Sequence, residues 1–317
     1  MKRLLIYCIY DKEGIVDDYI LYFLKSFKPY CEEICVVANG FLSDSSKQKL
    51  QNLCNKIVER ENSGFDSAAY KHIIEQYGYE KLKEYDELIL SNDTFYGPIF
   101  SPKEMFEKMN GKNVDFWGIT RHYATDGVFA GVKVEEHIQS YFLAFEKNIL
   151  QSNDFEQYWS NLKPASNWEE AVAYFELTLT KFFEQKGYKS ETYIPSEKYK
   201  SKFNSIVYSY YLNQQIEEDK MPFVKKKLFA VRKNNLLQNI EKGINYTLDY
   251  IKNSTDYDVN LIIQNIKRTT LKDVSEKKVQ KNYLKFLLCR FFIFWKKEHY
   301  SEKLKAIIEL KKLLKKI

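Results

Sequence analysis

The chain has 317 residues, 44% of them apolar and 29% charged. That is enough for two domains, or for one large α/β domain with an appendage, and too apolar for a disordered chain. The formal net charge is +6, but residues 271–317 hold fourteen Lys and Arg against five Asp and Glu, a net of +9, so residues 1–270 carry −3; a basic tail on an acidic body argues against a nucleic-acid-reading module.

Met1-Lys2-Arg3 precedes the apolar run Leu4 to Tyr10, which stops at Asp11-Lys12-Glu13. The run is too short for a secretory leader and lacks a small-residue cleavage site, so residues 3–10 read as a first strand. No apolar run approaches the ~20 residues of a membrane-spanning helix. Five cysteines (Cys8, Cys31, Cys35, Cys54, Cys289) include no C-x-x-C, which points to reduced thiols rather than a disulfide frame or a zinc site. The expected location is the cytoplasm.

Val16, Ile20, Phe23, Leu24 and Phe27 recur at helical spacing within 15–27. Ile34 to Ala38 reads as a second strand ending at the turn signal Asn39-Gly40. Ser43 opens a helix carrying Leu50 and Leu53, and Ile57-Val58 is a third strand running into Arg60. Ser67 to Gln76 is helical and stops at Gly78. Leu88 to Leu90 is a fourth strand that ends in Ser91-Asn92-Asp93. Four strands alternating with helices predict βαβ units and a parallel sheet.

Beyond Pro98, a helix is expected from Pro102 to Met109 and a strand from Val114 to Thr120. Arg121 to Glu136 reads as a loop, and His137 to Phe145 as a strand. Lys147 to Trp159 is helical, and Asn167 caps a long helix from Glu169 to Gln185. Tyr193-Ile194-Pro195 fits an edge strand. After about Ser201 no strand alternation is visible, and 221–251 and 276–316 read as helices. The expected organisation is a catalytic domain over 1–200 and a helical, basic C-terminal region over 201–317.

An acid just past a buried strand sits where open α/β sheets place their ligands. Asp93 is such an acid, and Ser91 and Asn92 share its turn. Asn62, Gly64 and Asp66 fill the loop before the next helix, where Gly64 supplies a positive φ or a close approach and Asp66 is either a ligand or a helix cap. Arg60 either faces a phosphate or pairs with Glu61 at the surface. Asn39 ends a strand at the same sheet edge. Together these make a plausible nucleotide site.

The runs Arg60-Glu61-Asn62-x-Gly64-Phe65-Asp66, Tyr85-Asp86-Glu87-Leu88-Ile89-Leu90-x-Asn92-Asp93-Thr94-x-Tyr96-Gly97-Pro98, Trp117-Gly118-Ile119-Thr120 and His137-Ile138-Gln139-Ser140-Tyr141-Phe142 resemble the rhamnan synthesis protein F family over roughly 3–200. These are bacterial glycosyltransferases of the GT-A type that build rhamnose-containing surface polysaccharides. The resemblance implies an α/β fold, a GT-A-like, Rossmann-type mixed sheet flanked by helices. It implies an inverting transferase, with dTDP-L-rhamnose as donor and a lipid-linked saccharide as acceptor. Another nucleotide sugar on the same fold, or a scaffold without turnover, are the alternatives.

The larger GT-A class places an Asp-x-Asp after the fourth strand to hold Mg²⁺ or Mn²⁺ on the diphosphate; here only Asp93 is a carboxylate. Asp93 therefore either holds a metal, orients the ribose or sugar, or caps a turn. By resemblance Glu176 is the base; it lies among apolar residues, where partial burial would raise its pKa, unless it faces solvent. Trp117, Thr120, His137 and Gln139 are the acceptor-side candidates, Trp117 as either a sugar platform or core. In the tail, Phe286 to Trp295 with flanking Lys suits either an anionic membrane surface or packing against the catalytic domain.

Overall fold

A computed structural model describes residues 1–200, 211–229 and 238–270. The fold is organised around β1 (Arg3–Ile9), all of whose residues are buried. A strand buried on both faces needs apolar side chains on both, which is why it reads as a continuous run. Alternation sends Leu5, Tyr7 and Ile9 to one face, against Phe23, Leu24 and Phe27 of α1 (Asp18–Phe27). It sends Leu4, Ile6 and Cys8 to the other, against Ala69, Tyr70, Ile73 and Ile74 of α3 (Phe65–Tyr77). Each such aliphatic or aromatic side chain contributes about 1.5–3 kcal/mol on burial.

β1 pairs in parallel with β2 (Glu33–Asn39) on one side and β4 (Glu87–Asn92) on the other, with Ile6 opposite both Cys35 and Leu90. β3 (Lys56–Arg60) extends the parallel run beyond β2, and α2 (Asp44–Leu50) connects β2 to β3. Ser43 caps α2 by accepting from the Ser46 amide. Beyond β4, the strand Phe142–Glu146 is antiparallel both to β4 and to Phe116–Gly118. Ser190–Thr192 closes that edge, parallel to Phe116–Gly118. The result is the expected mixed α/β sheet, seven-stranded and flanked by helices.

Several boundaries differ from the sequence reading. The expected strand His137–Phe145 is two strands, His137–Ile138 and Phe142–Glu146, because the chain turns at Gln139–Tyr141. Arg121–His122 pairs with His137–Ile138, and Val128–Phe129 with Val132–Lys133, so the Arg121–Glu136 loop is partly ordered as hairpins. The edge strand forms just before Tyr193.

The segment after Ser201 does contain a strand: Val224–Lys225 pairs with Phe95–Tyr96. The Phe223 ring lies 4.2 Å from that of Phe95. Arg268 donates to Asp17 and Asp11 at 2.6 and 2.5 Å, and the Asn265 amide donates to Asp17 at 2.5 Å. The compact unit accordingly runs from Met1 to Arg268, past the compositional shift near 200. The helix expected over 276–316, with its Phe286–Trp295 run, lies outside the described residues. No helix among the described residues is long and apolar enough to cross a membrane.

One buried ion pair pins the sheet's amino end. Arg3 Nε donates to Glu87 Oε2 at 2.5 Å, Trp117 Nε1 donates to Glu87 Oε1 at 2.9 Å, and the Arg3 guanidinium lies 4.1 Å over the Phe106 ring. Glu146, opposite Glu87 in register, has its carboxyl pushed up to about 8 by burial and by Glu87. Trp117 is fully buried here, so it is core and not an acceptor platform. Removing one partner of a buried pair leaves the other charge uncompensated. Arg3→Met should lower unfolding free energy by about 3–5 kcal/mol in denaturant titration, and adding Glu87→Leu should recover part of that loss. A single variant as stable as the parent would contradict this role.

Candidate active site

The chain leaves β1 toward β2 and β3 on one side and returns to its other side at β4. Connections diverge from the carboxyl ends of β1 and β4, and such a switch point leaves a crevice. A cleft of about 640 Å³ opens there. Tyr10 after β1, Asn39 at the end of β2 and Asn92 and Asp93 at the end of β4 line it on one side. Glu176 lines it from another element, and Lys225, Lys226 and Lys227 line it from the strand end paired beside Asp93.

The nearer wall is pre-set by hydrogen bonds. Gly64 precedes α3 at φ +73, and a Cβ there would meet the Ala68 Cβ at 2.6 Å, so the turn requires glycine. Phe65 also has a positive φ, +61, and its carbonyl accepts from Asn39 Nδ2 at 2.9 Å. Arg60 Nη1 donates to Asn39 Oδ1 at 2.5 Å and Nη2 to the Ser63 carbonyl at 2.8 Å. Of the two roles open to Asp66, ligand or helix cap, the cap falls to Gly64, because α3 begins at Phe65 and places Asp66 in its first turn. Its Oδ1 accepts from the Ser67 amide at 2.9 Å and its Oδ2 from Asn92 Nδ2 at 2.7 Å, while burial pushes the carboxyl above its usual range. Asn92 Oδ1 in turn accepts from Thr94 Oγ1 at 2.7 Å.

Asp93 Oδ2 accepts from Tyr19 Oη at 3.1 Å and from Lys226 Nζ at 3.1 Å. A divalent cation prefers several oxygen ligands. Here the Lys226 ammonium already occupies the carboxylate, and among the described residues no group of three His, Cys, Asp or Glu gathers to hold an ion. A metal on Asp93 would have to displace Lys226 and take its other ligands from a bound molecule. The protein's own donor set does not fit one.

The far wall centres on Glu176. It ends a π-helical turn, Val172–Glu176, within the otherwise continuous helical stretch Trp168–Gln185. Such turns recur at functional sites. Asn167 caps that stretch by accepting from the Glu170 amide at 3.0 Å. Glu176 Oε2 accepts from the Ser140 amide at 2.9 Å and Oγ at 2.5 Å, and its Oε1 lies 3.6 Å from His137 Nε2. Burial alone would raise this carboxyl, but His137 and Ser140 outweigh it and hold the group down at about 2. The expected upward shift is therefore reversed, because three donors converge on the charged form. His137 Nδ1 sits 2.7 Å from the Glu135 carbonyl, and its ring stacks on His122 at 5.0 Å. Burial, then His137, pushes His122 down to about 4.

The structure thus brings Asn39, Asn62, Asp66, Asn92, Asp93, Gln139 and Glu176 to one cleft. Arg60, Gly64 and His137 sit behind it as supports. Ser91 is fully buried and donates to the Tyr141 carbonyl at 3.1 Å; buried Thr120 donates to Gln139 Oε1 at 2.8 Å. Sequence reasoning missed two features. Trp168, 59% exposed, lines the cleft at the amino end of the Glu176 helical stretch and meets the Phe129 ring edge-on at 5.6 Å. Lys225, Lys226 and Lys227 line it from a segment read as helical tail. Burial pushes the Lys225 ammonium down to about 7, against the pull of Glu176. Its Nζ lies 3.4 Å from the centre of the Tyr141 ring.

A family model described as rhamnan synthesis protein F matches residues 34–312. An uncharacterized protein of Sinorhizobium fredii, y4gN, is 23% identical over 190 residues, 60% of this chain and 48% of that one. The chain thus spans about half the length of that relative. The virulence protein VirA of Vibrio anguillarum is 23% identical over 239 residues, 72% of this chain and 68% of that one. A solved cytidylyltransferase from Leptospira borgpetersenii aligns over 81% of this chain and 100% of its own at 13% identity, with a TM-score of 0.37. Glucosyl-3-phosphoglycerate synthase from Mycobacterium tuberculosis, solved with Mn²⁺, UDP-glucose and phosphoglyceric acid, aligns over 47% of this chain and 57% of its own at 13% identity, with a TM-score of 0.31.

The Glu176 environment has a measurable consequence. Its carboxyl titrates near 2 when folded against an ordinary 4.5, so between those values the unfolded chain binds more protons. The stabilisation is complete above about pH 4.5 and is lost as pH falls toward 2. Unfolding titrations from pH 6 to pH 2 should show Glu176→Gln losing less stability than the parent, by on the order of 3 kcal/mol. Parallel curves would contradict the assignment.

Proposed function

The chain belongs to the rhamnan synthesis protein F family, and on that premise we propose that it is an inverting glycosyltransferase moving L-rhamnose from dTDP-L-rhamnose to a growing, lipid-linked surface polysaccharide. Membership of the family supports the glycosyltransferase reading. The donor, the stereochemistry and the acceptor are our reading. The observation that carries it is the cleft at the β1–β4 switch point, which sets amides and a carboxylate on the wall formed by the strand ends and a held carboxylate on the opposite wall.

In this reading Asn39 and Asn62 meet the base and ribose, and Asp93 orients the donor. The acceptor hydroxyl oxygen attacks the anomeric carbon from the face opposite the diphosphate. The new C–O bond forms as the bond to the diphosphate oxygen breaks, and that oxygen keeps the electron pair. The hydroxyl proton passes to Glu176, whose carboxylate stays ionised at neutral pH. Ser140 and His137 fix its aim. Gln139, positioned by Thr120, and the exposed ring of Trp168 form the acceptor wall. The site of action we assign is the cytoplasmic face of the membrane, approached through the basic tail 271–317.

Transfer from dTDP-L-rhamnose to lipid-linked acceptor, followed by NMR of the product, should show one inverted linkage. Glu176→Gln should lower kcat by about 10²–10⁴-fold with little change in donor KM. Transfer from UDP- or GDP-sugars alone would discard rhamnose. An unaltered kcat in Glu176→Gln would remove Glu176 from the chemistry.

A further inference from the structure

The three consecutive lysines at 225–227 are placed by backbone pairing, not by chance exposure. Val224 sits opposite Tyr96 and Lys225 opposite Phe95, and the Lys226 amide donates to the Thr94 carbonyl at 3.0 Å. The segment is therefore stapled to the turn that carries Asp93. Strand alternation buries Val224 in the core and turns Lys225 toward the cleft. The chain then bends into a 3₁₀ turn, Lys226–Leu228, which keeps Lys226 and Lys227 on the same side.

The cleft so built holds three carboxylates, Asp66, Asp93 and Glu176, and three lysines. The lysines stand where the strand-end acid faces the opening. Lys226 bridges Asp93 and the face of Tyr19, 3.1 and 4.6 Å away. Lys225 Nζ reaches Thr94 Oγ1 at 3.4 Å. A Lys ammonium is a point charge suited to phosphate, and charge-assisted hydrogen bonds to phosphate are among the stronger ones. The Asp93 carboxylate, paired with Lys226, holds that ammonium at the cleft.

We propose that Lys225, Lys226 and Lys227 form the diphosphate cradle of the donor site, so that side-chain ammonium groups supply the counter-charge on the leaving group. This rests on the nucleotide-sugar reading above and deepens it: the ligand is a pyrophosphate-bearing nucleotide, and its binding needs no divalent cation.

The test is calorimetric titration of the full chain with thymidine, dTMP, dTDP and inorganic pyrophosphate, in EDTA and then in Mg²⁺ or Mn²⁺. In EDTA the parent should bind dTDP more tightly than dTMP, and dTMP more tightly than thymidine. Lys226→Gln and Lys227→Gln should each weaken dTDP and pyrophosphate about 10- to 100-fold while changing thymidine affinity by less than about twofold. Lys227→Gln serves as the second variant because Lys227 is exposed and its loss should not disturb folding; Lys226→Arg should retain most of the affinity. Binding of dTDP that vanishes in EDTA, returns with metal and ignores both Gln variants would overturn the cradle alone and leave the nucleotide-sugar reading standing. A parent that binds pyrophosphate but no nucleotide would overturn that reading instead, and with it the cradle as a donor site.

Discussion

The parallel pairing of β1 with both β2 and β4 is the constraint on which the rest depends. A central strand must be covered on both faces, so α1 and α3 are packed against opposite sides of it. Once β2 and β4 flank β1, the connections leaving β1 and β4 must part at the carboxyl ends, and the cleft opens there. The Arg3–Glu87–Trp117 cluster secures the other end of the same strands. A buried ion pair thus sits at the sheet's amino edge, and the polar groups of the cleft gather at its carboxyl edge.

Those polar groups share a second constraint: each buried charge needs a partner. Asp66 has Asn92, Asp93 has Lys226 and Tyr19, and Glu176 has Ser140 and His137. The two half-buried carboxylates Asp66 and Glu176 are pushed in opposite directions, the first upward by desolvation, the second down to about 2 by its donors. Such a split is how one cleft assigns different duties to like groups. Three lysines then balance the carboxylates in number. All three lysines come from the turn beside Asp93.

Much of this was legible in the chain. The runs at 3–10, 34–38 and 88–90 read as strands because short continuous apolar stretches have few other uses. Asn39, Asn92 and Asp93 followed as the residues at their ends. Other features were hidden for physical reasons. Val224–Lys225 is too short to show alternation, and it lay within 221–251, which read as helical. Trp117 and Trp168 cannot be told apart by residue type; only the fold shows that the first bonds Glu87 in the core and the second faces the cleft. Glu176 lies among apolar neighbours in sequence, which suggested a raised pKa. Its donors come from residues 137 and 140, on a turn far away along the chain.

The most direct test of the account is a crystal structure of the chain with dTDP bound. The account predicts the nucleoside against Asn39 and Asn62, and the two phosphates between Asp93 and the Lys225–Lys227 turn, with Glu176 left facing open acceptor space. A nucleotide bound elsewhere, or one whose phosphates point away from the carboxyl ends of β1 and β4, would contradict it.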